Sequence, residues 1–468
     1  MVVHLNFLFL IAFSIFNKCI SEKLLFSFQI NRHGARAPRY GLKDGVDIYK
    51  EKWSLEKNEL TNIGKRQLYL LGVKVRKRYR EKYNFLSDQY NPQEIYIRST
   101  DRNRTIESIY SYLQGLYPKY TGPNISEKVY NNKSIIFPPN KKYHSEFDKI
   151  INEYNMTKNE ALPFQISVEP IHIFYAPKHE FGLYDSDICK TLYPHYDELN
   201  KRKEIKEYAD NIIDETHGLW LDLEPEVKDA SYFYDYWNLY NYAENFICDD
   251  ADVRNFTVIK ENYPYVNDSL LEKLNNKSRQ FIEEDVILVN SWVNLSIVGA
   301  SYTMHSILNW MENAINNHKQ GINNNYIKFV IYSAHDSSIA NIEGFMKYAF
   351  NTNIEFADFS DCRFFELYLN DTGNYNVRYL KGDDTVKLDI DFDEFKSIIN
   401  DKTWSDKKVD EFCQFDENKK ENNTDNNDEN KDGESKNTLR ILLIVFGATD
   451  GALILVLISI LIFMKKKT

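Results

Sequence analysis

Cysteine is scarce in this chain, which has five in 468 residues. So low a content excludes a small scaffold held together by many disulfides. The sequence also lacks the HExxH and CxxC patterns, so it shows no conventional set of metal ligands. No G-x-S-x-G element follows a predicted strand, which argues against a serine hydrolase. The formal net charge is −11 and there is no basic stripe, so the composition also argues against a nucleic-acid-binding protein.

Two apolar runs mark the ends of the chain. The run within residues 1–21 is too short to span a bilayer and predicts a signal peptide that is cleaved after Ser21. The run at 441–464 is long enough to cross the hydrocarbon core, and three lysines open the tail, 465–468, that follows it. This pattern predicts a single-pass type I membrane protein whose ectodomain, residues 22–415, lies in the endomembrane lumen or outside the cell.

An acidic, Asn-rich segment at 416–438 separates the ectodomain from the predicted span. It contains almost no apolar residues, so it cannot bury enough surface to fold and predicts a flexible stalk. Within the span, Gly447 and Gly451 lie four residues apart, a spacing that allows two helices to approach closely and form a homodimer. Asp450 is costly at that depth, which suggests either a functional contact or a protonated side chain.

An oxidising compartment permits disulfides among the four cysteines of the ectodomain, which are Cys189, Cys248, Cys362 and Cys413. Four cysteines allow three pairings, and their spacing does not choose among them. Asn-x-Ser/Thr sequons occur ten times, and the secretory route predicts that some of them carry glycans.

Strands and helices alternate along the ectodomain. Apolar segments predict buried strands at 24–30, 94–97 and 326–332. Helical periodicity predicts helices at 61–78, 105–117 and about 285–316. The alternation indicates an α/β fold with a mainly parallel sheet flanked by helices.

The stretch from about 120 to 280 has a different texture, rich in Lys, Glu, Asn and Tyr. Its helical windows at 196–215 and 231–246 predict a mainly helical insertion that caps the sheet. Near the C-terminal end of the ectodomain, 364–369 and 376–380 flank an Asn-Asp-Thr-Gly turn and predict an edge hairpin.

Each predicted strand runs directly into charged residues. The first is followed by Arg32-His33-Gly34-Ala35-Arg36, the second by Arg98 and the third by His335-Asp336. Ligands bind beyond the carboxyl ends of parallel strands, so we expect the three clusters to converge there. The forked guanidinium groups match phosphate oxygens, and Gly34 allows close backbone approach. The sequence therefore predicts a phosphate site.

Phosphoryl transfer without a metal needs a protein nucleophile, cationic clamps and a proton donor. His33, flanked by two arginines, is the candidate nucleophile, and Asp336 is the candidate donor. A carboxyl group that must be protonated works best at acidic pH. We expect Arg104 to form a structural pair with Asp101.

Residues Arg32 to Pro38 read RHGARAP and resemble the RHGxRxP signature of the histidine acid phosphatases, branch 2 of the histidine phosphatase superfamily. Blocks that begin at Leu60, Ile97 and Tyr332 resemble the next three motifs of this family, in the same order. The resemblance covers about 22–415, and the membrane-anchored layout is most similar to lysosomal members. It implies a phosphoglycerate-mutase-like fold without a cofactor.

The resemblance also implies residue roles. His33 would carry the phosphohistidine, and Asp336 would protonate the leaving alcohol and then help to activate water. The phosphate would be held by Arg32, Arg36, Arg98 and His335. The implied disulfides are Cys189–Cys413 and Cys248–Cys362.

Alternatives to a general acid phosphatase remain open at this stage. Ala35 makes the first motif more similar to the phytase side of the family, so a phytase or an inositol polyphosphate phosphatase is one alternative. A membrane glycoprotein that has the phosphatase fold without catalysis is another. The tail lacks the tyrosine sorting motif of the lysosomal members, which leaves the compartment open.

Overall fold

The computed structural model describes two kinds of region. Its continuous segments are 22–39, 55–118, 144–153, 172–174, 236–252, 267–323 and 326–413. Its isolated positions are 128, 189, 203, 207, 210, 214 and 260. The predicted signal peptide, stalk, membrane span and tail lie outside the described residues, as does most of the predicted helix at 196–215. None of the helices within the described segments is long and apolar enough to cross a bilayer.

Seven strands and nine helices are described. The strands are β1 (Lys23–Arg32), β2 (Ile95–Thr100), β3 (His172–Phe174), β4 (Phe329–Ala334), β5 (Cys362–Leu369), β6 (Tyr375–Lys381) and β7 (Val386–Asp391). The helices are α1 (Asn62–Arg76), α2 (Asn103–Leu116), α3 (His144–Glu153), α4 (Tyr236–Ala251), α5 (Asp268–Asn290), α6 (Val293–Lys319), α7 (Asp336–Phe350), α8 (Phe392–Lys402) and α9 (Asp406–Cys413). A π-helical turn, Lys77–Lys82, extends α1.

The strands form one sheet in the order β3-β2-β4-β1-β5-β6-β7. The pairs from β3 to β1 are parallel, whereas the pairs from β1 to β7 are antiparallel. The sheet is therefore mixed rather than mainly parallel. Short turns join β5, β6 and β7, and such turns produce antiparallel neighbours. The predicted hairpin is present as β5 and β6, but β7, which the sequence analysis missed, occupies the edge.

Side-chain alternation divides the core between the two faces of the sheet. On β1, Phe26, Phe28 and Ile30 pack with α6, α7 and α8. The residues between them are polar and point to the α1–α2 face, where Ser27 bonds the Tyr79 hydroxyl at 2.7 Å. Apolar residues of β2, β4 and β5 complete that second face. The central strand is therefore buried on both sides, as its apolar run predicted.

Two helix predictions differ from the structure in detail. The window 285–316 is occupied by two helices, α5 and α6, which a break at Ser291–Trp292 separates. The window 231–246 corresponds to α4, which starts and ends about five residues later.

Only one of the two implied disulfides is present. Cys189 and Cys413 form a disulfide, with their Cα atoms 4.5 Å apart. Cys248 and Cys362 are separate buried thiols, so the second pairing was wrong. The physical reason is their placement, because Cys248 on α4 contacts Arg36 whereas Cys362 opens β5 inside the α1–α2 face of the core.

Candidate active site

Three parallel strands end at the same edge of the sheet and carry the candidate residues there. Arg32 ends β1 and pairs with Ala334, the last residue of β4. The residue after Ala334, His335, caps α7, and Asp336 is the first residue of that helix. Thr100 ends β2, and α2 starts three residues later. The convergence expected from the strand ends is therefore present for the first and third clusters.

The loop after β1 is held in place by α1 and α2. A Cβ atom added to Gly34 would lie 2.3 Å from the carbonyl oxygen of Gly64, so only glycine permits this approach. Gly34 N–H donates to Ser108 Oγ at 3.2 Å, and Ala35 N–H donates to Gln67 Oε1 at 2.9 Å. Gly64 and Gln67 therefore position the backbone next to His33.

His33 is presented as a neutral imidazole. Its Nδ1 lies 2.9 Å from the Gly34 carbonyl oxygen, which can only accept, so Nδ1 carries the proton and Nε2 the lone pair. Burial, followed by the charges of Arg104 and Arg36, holds the pKa of His33 well below its ordinary value of 6.5. The ring therefore keeps a nucleophilic nitrogen at acidic pH.

Arg32 is fixed on three sides. Nη1 donates to the Ala357 carbonyl at 2.7 Å, and Nη2 pairs with Asp336 Oδ2 at 2.8 Å. The ring of Phe359 lies against the guanidinium, 4.1 Å from centroid to Cζ, and its centroid is 5.7 Å from that of His33. The turn that contains Phe359 also bonds the main chain here, because Ser360 N–H donates to the His33 carbonyl at 3.0 Å.

Arg36 is buried and faces helix α4. Its Nη1 donates to the Ala37 carbonyl at 3.0 Å and lies 3.7 Å from Cys248 Sγ. Its Nη2 pairs with Glu244 Oε1 at 2.5 Å. Burial opposes the charge of Arg36, but Glu244 outweighs this effect and raises its pKa.

The third guanidinium beside the histidines is Arg104, in the first turn of α2. Its Nη2 lies 3.3 Å from His335 Nδ1. Burial and the charge of Arg36 lower the pKa of Arg104 to about 9. We expected Arg98 at this position and a pair between Arg104 and Asp101, whereas the structure puts Arg102 Nε 3.7 Å from the Asp101 carboxylate.

Arg98 lies two residues before the end of β2, where strand alternation gives it the same face as Tyr96. Tyr96 packs against Trp310 of α6, with ring centroids 5.5 Å apart. In the register, Arg98 stands beside Tyr332, whose ring belongs to the same face. Strand alternation and register therefore put Arg98 on the α6 face of the sheet.

His335 is held by α2 and by the end of β2. Arginine can only donate, so His335 Nδ1 accepts from Arg104, and Nε2 donates to Thr100 Oγ1 at 3.0 Å. Burial and the charges of Arg104 and Arg102 hold the pKa of His335 well below 6.5. The centroids of the His33 and His335 rings are 5.5 Å apart.

Asp336 is a partly exposed carboxylate at the helix N-terminus. Burial alone would raise its pKa, but Arg32, the Ser337 amide and Arg36 outweigh this effect and hold the pKa of Asp336 below 3.8. Its Oδ1 accepts from Ser337 N–H at 2.8 Å. Asp336 is therefore ionised in this arrangement and pairs with Arg32.

Together these groups form a cationic pocket around His33. Within the described part of the chain, the Nε atoms of Arg32, Arg36 and Arg104 are buried and lack a hydrogen-bond partner. Buried donors of this kind favour an anion that can accept from them. A phosphate dianion has the charge and the acceptor oxygens that the pocket requires.

Three contributors escaped the sequence analysis: Arg104, Phe359 and Glu244. Only Arg104 carried a local signal, since it follows Arg98-Ser-Thr-Asp at the start of a predicted helix. Phe359 lies in an irregular segment, and Glu244 is in the helical insertion, more than 200 residues from Arg36. Neither has a sequence pattern that links it to the site.

The sequence is similar to those of known phosphatases. The profile of the histidine phosphatase superfamily (branch 2) matches residues 23–381. Lysosomal acid phosphatase of Xenopus laevis is 29% identical over 76% of this chain and 69% of its own length. Lysosomal acid phosphatase of Rattus norvegicus is 25% identical over 78% of this chain and 72% of its own length.

A solved structure has the same fold. The phytase of Klebsiella sp ASR1 superposes on this chain with a TM-score of 0.53 and 11% sequence identity. The superposition covers 82% of this chain and 97% of the phytase. At this identity the likeness establishes the fold alone.

Proposed function

The chain belongs to branch 2 of the histidine phosphatase superfamily, and on this premise we propose that it is an acid phosphatase that hydrolyses phosphate monoesters through a phosphohistidine on His33. The observation that carries the proposal is the state of His33, a neutral imidazole with its lone pair on Nε2 in a pocket of three guanidinium groups. The relatives named lysosomal acid phosphatase support the same activity.

In the first half-reaction, the guanidinium groups of Arg32, Arg36 and Arg104 bind the phosphate oxygens. His33 Nε2 attacks phosphorus while the bond from phosphorus to the ester oxygen breaks. The Nδ1–H bond to the Gly34 carbonyl stabilises the positive charge that develops on the ring. The leaving oxygen takes a proton from Asp336 and departs as the alcohol.

The second half-reaction regenerates the enzyme. A water molecule gives a proton to the Asp336 carboxylate and attacks phosphorus, and the bond from phosphorus to Nε2 breaks. Inorganic phosphate leaves, and His33 is again neutral. The same carboxyl group therefore acts first as an acid and then as a base.

Asp336 can donate a proton only if its lowered pKa rises. In the free protein the ion pair with Arg32 keeps the pKa of Asp336 low. A bound phosphate dianion offsets the charge of the arginines, so substrate binding raises the pKa of Asp336. The pKa of the alkaline limb should therefore be higher in the pH profile of kcat than in that of kcat/KM.

The test is phosphate release from p-nitrophenyl phosphate by the purified full chain between pH 3.5 and 7.5, with a metal chelator present. We expect the highest activity at acidic pH, no effect of the chelator, and a loss of about a thousandfold or more in His33→Ala. His318→Ala is the matched control. His318 bonds the hydroxyl of Tyr375, which lies at the edge of the sheet where β1 begins, opposite the edge that carries His33. Near-normal activity in His33→Ala would contradict the proposal, and an inactive but folded wild type would favour a non-catalytic binder.

A phytase-like activity is the second candidate. It is favoured by Arg39 and Arg102, which lie near enough to Arg104 to lower its pKa and could bind a second phosphate group. Arg102→Gln should then raise KM for myo-inositol hexakisphosphate more than for p-nitrophenyl phosphate. Equal effects on the two substrates would remove the reason for this candidate.

We also propose that the protein acts in an acidic lumen, anchored by its C-terminal apolar segment. The lysosomal relatives and the low pKa of His33 support this location. Immunofluorescence of the full chain and protease protection of isolated organelles would test it.

A further inference from the structure

Helix α4 brings one face of the insertion against the phosphate pocket. Tyr240, Glu244 and Cys248 are spaced four residues apart, so they line one face of the helix. Glu244 and Cys248 both contact the guanidinium of Arg36. Tyr240 shares this helix face, and burial and the charge of Asp336 raise its pKa.

Glu244 is a buried carboxylate with both oxygens engaged. Oε1 accepts from Arg36 Nη2 at 2.5 Å, and Oε2 accepts from the main-chain N–H of Arg39 at 3.0 Å. Only 7% of the residue is exposed to solvent. A charge-assisted pair at this depth fixes the guanidinium strongly and is little screened by water. Glu244 therefore orients Arg36 from helix α4.

The same carboxylate changes the charge of the pocket. Three guanidinium groups, of Arg32, Arg36 and Arg104, surround His33, and Asp336 and Glu244 are the carboxylates paired with them. Without Glu244 the pocket would carry one more positive charge. Such a pocket would bind every phosphate more tightly. The gain in affinity would apply to inorganic phosphate, the product, as much as to the substrate.

We propose that Glu244 is a positioning residue that orients Arg36 and limits the affinity of the pocket for inorganic phosphate, so that the product can leave. This inference rests on the proposed phosphatase function. It gives the helical insertion a direct part in turnover, because α4 supplies the counter-charge to a clamp that the loop after β1 supplies.

Asp336 responds to the same balance. The groups that face it are Arg32 and Arg36 from β1 and its loop, Arg104 from α2, Tyr240 from α4 and the Ser337 amide of α7. Glu244 partly neutralises Arg36, so removing its charge strengthens the field of Arg36 on Asp336. The pKa of Asp336 would then be lower, so a smaller fraction of the enzyme would hold the proton that the leaving oxygen needs.

The experiment is Glu244→Gln in the full chain, with inorganic phosphate as the probe. Glutamine keeps a hydrogen-bond acceptor for Arg36 and removes only the charge. We expect the dissociation constant of phosphate, measured by titration calorimetry, to fall by about tenfold. We also expect kcat to fall and the alkaline limb of its pH profile to move to lower pH.

The matched control is Glu94→Gln. Glu94 is also buried and ion-paired, with Lys328 at 3.0 Å, but it lies at the opposite end of β2. This variant should keep the phosphate affinity and the pH profile of the wild type. Glu244→Asp retains the charge, so its phosphate affinity should stay within about twofold of that of the wild type. This variant replaces Glu244→Gln as the test if the glutamine variant does not fold.

Unchanged or weaker phosphate binding in a folded Glu244→Gln would overturn the inference, as would a tenfold change in Glu244→Asp. Calorimetry needs no turnover, so the inference can be tested even if the chain proves inactive. Failure of the proposed function would show in His33→Ala, and failure of the inference would show in the phosphate affinity.

Discussion

The pKa of Arg104, lowered to about 9 by burial and by Arg36, marks a place where cations are crowded together. Arginine normally stays charged far above this pH. Bringing a dianion to such a group relieves the repulsion, so the crowding itself contributes to substrate affinity. The choice between Arg104 and Arg98 as the third clamp can be tested on this basis.

Arg104→Ala should lower kcat/KM for p-nitrophenyl phosphate by about a hundredfold or more, because it removes a charge next to the transferred group. Arg98→Ala should change it by less than about threefold, since Arg98 faces α6. Steady-state kinetics of the two variants measures the difference. A larger loss of kcat/KM in Arg98→Ala than in Arg104→Ala would mean that Arg98 is the third arginine that binds the phosphate.

The role of Asp336 predicts a dependence on the leaving group. Asp336→Asn should reduce kcat by about a hundredfold to ten-thousandfold for an alkyl phosphate, whose leaving oxygen needs a proton. The loss should be smaller for p-nitrophenyl phosphate, because p-nitrophenolate leaves without one. Equal losses for both esters would mean that Asp336 acts mainly by holding Arg32.

The two buried histidines make the free protein less stable in acid. In the folded protein the pKa values of His33 and His335 lie well below 6.5, the value of an unfolded histidine. At a pH between the folded and the unfolded pKa, the unfolded chain therefore binds more protons than the folded one. The free energy of unfolding should therefore fall as the pH drops below 6.5. Denaturant titrations from pH 7 to 4.5 should show this slope, and His335→Gln should reduce it. A slope unchanged in that variant would count against a neutral His335.

At the scale of elements, the contact between the first loop and α1 is the tightest constraint on the site. A Cβ atom at Gly64 would lie 2.1 Å from the Ala35 carbonyl oxygen, so Gly64→Ala must displace the loop that carries His33. We expect this variant to lose at least about tenfold in kcat/KM as well as stability.

Gly321→Ala is the control for that variant. Gly321 has a φ of +73° at an open turn, so alanine there should cost about 1 kcal/mol of stability and leave the activity unchanged. Thermal melts and kinetics of the two variants separate the effects. Normal activity in Gly64→Ala would show that the loop can shift without moving the nucleophile.

The sequence was enough to predict the elements that reach the site along the chain. Apolar runs that end in charged residues predicted β1, β2 and β4. Because these strands are parallel, their carboxyl ends lie at one edge of the sheet, where His33 and Asp336 meet. Edge strand β7 was missed although Val-Lys-Leu-Asp-Ile-Asp alternates apolar and polar residues, the pattern of a half-exposed strand. Glu244 escaped for a different reason, because helical periodicity shows that α4 exists but not what its polar face meets.

On the scale of the whole molecule, one disulfide joins distant parts of the chain. Cys189 and Cys413 are separated by 224 residues, and Cys413 ends the last described helix, α9. Closing so long a loop restricts the unfolded chain, so Cys413→Ser should lower the free energy of unfolding by about 2–5 kcal/mol. Chemical denaturation measures this loss.

A thiol count provides the check on connectivity. The unreduced, denatured chain without its first 21 residues should react with two equivalents of a thiol reagent, from Cys248 and Cys362. Reaction with none would mean that these two cysteines form the second disulfide after all.

The bond from His33 Nδ1 to the Gly34 carbonyl has a consequence for the chemistry of labelling. Since only the other ring nitrogen can take the phosphoryl group, trapping should yield a single regioisomer, the Nε2-phosphorylated form. An antibody selective for that isomer should detect the enzyme after rapid quenching in alkali, whereas an antibody against the Nδ1 isomer should not. One carbonyl group of the main chain would thus determine which of two covalent products appears on an immunoblot.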